Sequence, residues 1–321
     1  MKFEIDMLSV GRADAIILRY FNRFDKEVVI VIDAGRSGDG KKVLEHIENH
    51  TDKKSIDLAI CTHPDKDHIG GFFDIVGKVK IDKFWIHNPA NHRKEVEKLK
   101  GKISKEKPIH ESLSEAESLI SLIKKNRIVY EEPFAGLKYD KAPLIVVGPK
   151  KEYYQELLSD FRDIGTLLNE GLTADWLQAD DKLQESEMSE KLDRKKDESK
   201  ENNSSAIILF TPSGSNHKYL FTGDAGPIAL RKADDFRDLS GLYWLDVPHH
   251  GSVYNLKPDL INRFKPKYAL ISCKKSDHYP IDKVVDALRA TGCLVYPTYD
   301  SRLHYYVGLS LRPGECSARP M

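Results

Sequence analysis

Residues 62–71 read Thr-His-Pro-Asp-Lys-Asp-His-Ile-Gly-Gly and place two imidazoles and two carboxylates inside six positions. His63, Asp65, Asp67 and His68 are all divalent-metal ligand types, and four of them this close cannot share one helix face. A turn leaving a buried strand can aim them at one spot and hold two cations. The preceding run supplies such a strand, because Ile56 to Cys61 is short and mostly apolar, the pattern of a strand buried on both faces. Gly70 and Gly71 carry no side chain that would keep the next helix away from the ions.

Further ligand types follow apolar runs later in the chain. Asp224 ends the run Tyr219-Leu220-Phe221-Thr222-Gly223, where a carboxylate serves either as a ligand or as the cap of a following helix. His249 and His250 follow Leu245-Asp246-Val247-Pro248. On an extended backbone two successive rings point in different directions, so one binds metal and the other meets substrate or supports a ligand; which does which stays open. His278 follows the apolar run Tyr268 to Cys273 and fits a ligand, a proton donor to a leaving oxygen, or a plain surface histidine.

Together these blocks resemble the metallo-β-lactamase fold hydrolases, and in detail the soluble domain of the ComEC/Rec2 competence proteins. The general family pattern is His-x-His-x-Asp-His; Asp65 stands at the second histidine, a variant that marks the competence-like branch. Asp6 to Leu18 resembles that branch's Val-Gly-Gln-Gly-Asp-Ala-Ile-Leu segment, departing at Arg12 and Ala13. Asp33-Ala34-Gly35 after the strand Val28 to Ile32, Asn202 to Ser205 before the strand Ala206 to Phe210, Tyr219 to Asp224, and Pro248-His249-His250-Gly251-Ser252 match in order.

The resemblance implies an α/β fold, a four-layer αβ/βα sandwich forming a single domain over residues 1–321, with metals where the strand ends of both halves meet. It implies two divalent ions, Zn²⁺ or Mn²⁺ with Mg²⁺ also compatible. His63, Asp65 and Asp224 would hold one ion. Asp67, His68, one of His249 and His250, and again Asp224 would hold the other, with Asp33 bracing an imidazole from behind and His278 protonating the leaving oxygen. The implied activity is hydrolysis of a phosphodiester in DNA or RNA by a metal-bound hydroxide. Two alternatives stand beside it: hydrolysis of a small phosphodiester or other ester, and an effector whose latent nuclease is gated by a protein partner.

One family histidine is missing. Most of the superfamily places a third histidine just before the strand that begins here at Ala206, yet Asn203, Ser204 and Ser205 occupy that place. They would be weak ligands or hold a water. His217 cannot substitute, since the hairpin carries it to the far end, roughly 20 Å away at strand rise. A site richer in oxygen than nitrogen leans toward Mn²⁺ or Mg²⁺.

Composition narrows the rest. The chain has 321 residues and 40% hydrophobic content, enough for one large sandwich. Its 50 basic and 50 acidic residues cancel, so no bulk charge draws it to nucleic acid. Lysines between Lys78 and Lys107 make a local basic region that flanks a phosphate groove or forms a solvated helix face. Four cysteines show no Cys-x-x-Cys spacing, as expected of reduced thiols in a cytoplasmic protein. Charges at Glu4, Asp6, Arg12 and Asp14 interrupt any signal-peptide core, and no apolar run approaches a membrane span.

Residues 151–203 read as a helical, charged insertion, almost wholly charged from Glu185 onward, suited to a lid, a protein-binding arm or a surface helix. Elsewhere the periodicity predicts strands near 2–9, 14–20, 27–33, 57–62, 82–86, 143–147, 205–211, 218–223, 242–247, 267–273, 293–297 and 304–311. It predicts helices near 39–50, 69–77, 112–126, 151–200, 225–235, 256–264 and 280–290.

Overall fold

The apolar runs become two sheets. In the computed structural model, which describes residues 1–92, 94, 111–158, 161, 196–274, 282–299, 302–310 and 312, β1 (Lys2–Met7), β2 (Ala15–Phe21) and β3 (Glu27–Ala34) form an antiparallel meander. The sheet continues in parallel through β4 (Ile56–Ile60), β5 (Ile81–Trp85) and β6 (Val129–Glu131). The second sheet repeats this plan. β7 (Lys138–Tyr139), β8 (Leu144–Gly148), β9 (Ile207–Phe210) and β10 (Tyr219–Phe221) are antiparallel, and β11 (Trp244–Asp246), β12 (Tyr268–Ile271) and β13 (Leu294–Pro297) follow in parallel. β14 (Leu303–Val307) crosses back to pair with β1, giving two seven-stranded sheets.

Alternation along the strands builds the layers. Val28, Ile30 and Ile32 of β3 face the other sheet, together with Phe3, Ile5, Phe210, Tyr219 and Trp244. Val29 and Val31 face outward onto α1 (Gly40–His50), α3 (Phe72–Ile75) and α4 (Glu111–Lys125) through Val43, Ile47, Phe72 and Leu119. The outer face of the second sheet is covered in the same way by α7 (Pro227–Phe236), α8 (Pro258–Phe264) and α9 (Asp282–Ala290) through Leu230, Phe264 and Leu288. Three apolar layers separate four layers of structure, the sandwich expected. Between the sheets Phe3 meets Phe210 edge-on at 5.1 Å and Tyr219 at 5.2 Å, a preferred aromatic geometry.

The topology gathers one set of strand ends. β3, β4, β10, β11 and β12 finish at a common edge, and β2 and β9, running antiparallel to their neighbours, begin there. That is how Asp14, Asp33, residues 62–68, Asn202 to Ser205, Asp224 and residues 246–250 come together.

Two expectations change, and a third falls largely outside the described residues. The helix expected over 69–77 is two single turns, α2 (Lys66–Ile69) and α3, broken at Gly70-Gly71. The short strands β6 and β7 carried too little apolar alternation to be predicted. Of the insertion, α5 (Lys151–Leu158), Phe161, residues 196–199 and α6 (Lys200–Asn203) are described; Trp176 and the charged run 185–195 lie outside the described residues. Most of the basic region, from Lys98 to Lys107, lies outside them as well.

Candidate metal centre

β4 delivers its turn to a tight place. Gly71 packs so closely on the turn after β3 that a Cβ there would lie 1.9 Å from Ala34 O, which is why α2 and α3 are hinged on glycine rather than on a residue with a side chain. The glycines therefore serve contact with a neighbouring backbone. Gly223, at φ 50°, does the same between sheets: a Cβ would stand 2.7 Å from Thr62 Oγ1, so the ends of β4 and β10 can meet only without one.

The imidazoles are fixed from behind. His68 Nδ1 lies 2.8 Å from Asp33 Oδ2, which also accepts from Thr62 Oγ1 at 2.6 Å, while Thr62 N–H donates to Asp33 Oδ1 at 2.8 Å. His250 Nδ1 lies 2.9 Å from Ser272 O, a carbonyl that can only accept. His63 Nδ1 lies 3.1 Å from Thr62 Oγ1, whose proton is already given to Asp33. In its neutral form each ring thus keeps its proton on Nδ1 and turns the Nε2 lone pair the other way.

Those lone pairs converge on carboxylates. His68 Nε2 is 3.2 Å from Asp224 Oδ1, and His63 Nε2 is 3.9 Å from Asp224 Oδ2 and 3.7 Å from Asp65 Oδ2. His250 Nε2 is 3.7 Å from Asp67 Oδ2. Two groups already have donor atoms within 4.8 Å of one another, His63 with His68 and Asp224, and Asp67 with His68 and His250. A third, Asp14 with Asp33 and His68, lies on the Nδ1 side, where the brace uses the ring nitrogen.

Among the described residues His63 Nε2, His68 Nε2, His250 Nε2 and Asp224 Oδ1 have no hydrogen-bond partner, although all are buried. Four orphaned polar atoms facing one another are costly unless something positive joins them, and the donor set suits a divalent ion. The residues present therefore fit such ions.

Charge follows the same logic. Burial would raise Asp224, but His68 and His249 hold its carboxyl well below the usual range. Burial likewise opposes ionisation of Asp67, yet His250 and His68 lower it. His68 would be lowered by burial, and Asp224 and Asp33 raise it well above an ordinary histidine; His63, with burial and the His68 charge both against it, is pushed down to about 4. In His249, Asp224 and Asp197 overcome burial and raise the ring to about 9.

His249 and His250 correct the extended-backbone expectation. Their φ values are 51° and 55°, both left-handed, so consecutive rings turn toward one region. His250 joins Asp67 and His68, while His249 Nε2 lies 3.8 Å from Asp224 Oδ2. His217 is far from them, stacked on Tyr243 at 3.8 Å. His278 lies outside the described residues.

Four site residues were not singled out from the sequence. Asp14, 3% exposed, reaches His68 and His250 at 3.7 Å, and burial raises its carboxyl to about 6. Asp246 is buried beside it and raised well above the usual range by burial and by Asp14. Arg36 places one guanidinium nitrogen 3.1 Å from Asp67 Oδ2 and 2.9 Å from Arg12 O, with about half its side chain, 47%, in solvent. Asp197 lies 3.4 Å from His249 Nδ1. Only Asp14 carried a readable signal, as a carboxylate immediately before a buried strand.

Residues 11–274 match the family described as the metallo-beta-lactamase superfamily, and the chain belongs to it. Its members are mostly metal-dependent hydrolases that bind divalent metals, in keeping with the clusters above. A search of curated proteins finds no match. No helix among the described residues is long and apolar enough to cross a membrane. Cys61, Cys273 and Cys293 are free and buried; Cys316 lies outside the described residues.

Proposed function

We propose that the chain is a binuclear metal-dependent phosphodiesterase acting on nucleic acid, of the competence-like branch its motifs resemble. The observation that carries the metal reading is the set of orphaned, convergent donors on His63, His68, His250 and Asp224. His63, Asp65 and Asp224 would hold one ion, and Asp67, His68, His250 and Asp224 would hold the other. When bound, two such ions activate water at neutral pH and offset the charge that develops on a phosphoryl oxygen.

The chain's own residues do the rest. Asp33, Thr62 and Ser272 hold the ligand rings, so the cradle needs no rearrangement as ions arrive. Arg36, tethered by Arg12 O and Asp67 yet half in solvent, presents the fixed cation a phosphoryl oxygen would meet at the rim. This favours a phosphodiester over a neutral ester or amide.

The test is a substrate survey with Mn²⁺, Mg²⁺ or Zn²⁺ added: labelled single- and double-stranded DNA and RNA, beside bis-p-nitrophenyl phosphate. Oligonucleotide cleavage by the wild type and not by Asp67→Asn is the expected result. Turnover of the small diester alone would move the assignment to a small phosphodiester, a reading consistent with the formal net charge of +0.

A further inference from the structure

An ion at His63 would lack the third histidine that most of the superfamily supplies at the start of β9. The residues standing there offer oxygen and no imidazole: among the described residues Asn203 Oδ1 and Ser205 Oγ are buried without a hydrogen-bond partner, while the amide nitrogens and Ser204 Oγ are engaged elsewhere. Asn203 Nδ2 donates to Asp197 O at 3.0 Å and to Ser199 O at 2.8 Å, and Ser204 Oγ to Glu201 O at 2.6 Å. Asn202 Nδ2 donates to Asp197 Oδ2 at 2.7 Å. The amides at this position build a seat for Asp197.

Asp197 in turn faces His249. Its Oδ2 also accepts from Asn255 Nδ2 at 2.8 Å, and its backbone N–H donates to Tyr254 O at 2.9 Å, so carboxylate and chain are both pinned. The carboxylate lies 3.4 Å from His249 Nδ1, with Asn202 Nδ2 3.3 Å from the same nitrogen. A carboxylate behind an imidazole is the arrangement that fixes a metal-binding ring with its other nitrogen forward.

The forward nitrogen points to the gap. Asp224 divides its oxygens: Oδ1 faces His68 Nε2 at 3.2 Å, while Oδ2 faces His63 Nε2 at 3.9 Å and His249 Nε2 at 3.8 Å. The left-handed backbone that turns His249 this way is strained in a non-glycine residue, and the ring it presents is one-quarter exposed, 25%, so core packing does not explain it.

We propose that His249 supplies the imidazole missing from the His63 ion, and that Asp197, at the C-terminal end of the insertion, is the positioning residue that holds it. In this chain the nitrogen ligand has moved from the start of β9 to the turn after β11, and the old ligand position has become the support for its carrier. The proposal rests on the two-ion reading and refines it.

Metal binding tests it without substrate. Chelator-treated wild type, His249→Ala, Asp197→Asn and Asp197→Glu would be brought to equilibrium with Co²⁺ and then with Zn²⁺, and the bound metal counted. The wild type should hold two ions and His249→Ala one at the same free metal. Asp197→Asn should weaken that one ion by roughly 10–100-fold and leave the other unchanged, with partial recovery in Asp197→Glu. Urea midpoints of the metal-free variants show whether each still folds.

Should His249→Ala not fold, X-ray absorption of the Zn²⁺-loaded wild type decides: four imidazoles shared by two ions average two per ion, and three average about one and a half. Wild-type metal affinity in His249→Ala, or the lower imidazole count, overturns the proposal. Loss of one ion in His249→Ala from a protein that cleaves no phosphodiester sustains it and sinks the proposed activity. A wild type that binds no divalent ion sinks both.

Discussion

Asp33 Oδ2 stands 2.8 Å from His68 Nδ1, and the same carboxylate accepts from both the backbone N–H and the hydroxyl of Thr62. One side chain at the end of β3 therefore holds the turn after β4 and sets the tautomer of a ring in α2. Its φ of 54° is left-handed, a conformation aspartate tolerates better than most residues. Asp33→Ala should lower metal affinity by roughly 10–100-fold. It should also destabilise the metal-free fold by about 1–3 kcal/mol, because the buried Thr62 N–H loses its acceptor. Dye-competition metal titration and urea denaturation check the two effects separately.

Gly71 predicts a purely steric failure. A methyl group there would press on Ala34 O, a backbone atom with nowhere to go. Gly71→Ala should cost at least about 3 kcal/mol or abolish folding. A urea midpoint within experimental error of the wild type would show that the turn after β3 can yield.

Arg36 separates binding from folding. Its pair with Asp67 is half in solvent, so Arg36→Ala should change stability by less than about 1 kcal/mol. Loss of a charge-assisted contact to the phosphoryl oxygen should raise KM about tenfold. Steady-state kinetics on a phosphodiester beside a thermal melt tests this, and an unchanged KM would remove Arg36 from the rim.

His87 predicts a pH effect away from the metals. It stacks on Tyr154 at 4.3 Å with neither ring nitrogen hydrogen-bonded among the described residues, and burial lowers its pKa from 6.5 to about 3 despite Glu132. Between those values the unfolded chain carries a proton that the folded chain does not. Stability must therefore fall as pH drops below 6.5, by up to about 1.4 kcal/mol per pH unit for this group. His87→Phe, which keeps the stacking and removes the titration, should flatten that slope in chelated protein. Urea unfolding at several pH values between about 4.5 and 6.5 gives the slope, and an unchanged one would mean His87 is protonated in the fold.

Much of this architecture was legible because buried strands announce themselves. Ile56 to Ile60 is buried at every position, and the ligand turn that follows needed only its residue types to be read. Among the described residues the expected order of strands and helices holds except where signals are short or interrupted, as at β6, β7 and the break at Gly70-Gly71, and at residues 196–199, which are not helical; most of the helix expected over 151–200 lies outside the described residues. What could not be read is what the chain brings together from a distance. Asp197 reaches His249 through a network with Asn202 and Asn255, and no local spacing encodes that meeting. The left-handed backbone at His249 and His250 was equally hidden, since left-handed φ is rare outside glycine and no glycine marks either position.

The most direct measurement is hydrolysis of a phosphodiester by protein stripped with chelator and then given Mn²⁺ stepwise, beside Asp224→Asn, which removes one oxygen's charge from between the two clusters. A two-metal phosphodiesterase should show no turnover after stripping, recovery that reaches its plateau near two equivalents of metal, and little or none in the variant. Turnover that survives stripping, or that Asp224→Asn leaves intact, would contradict that reading.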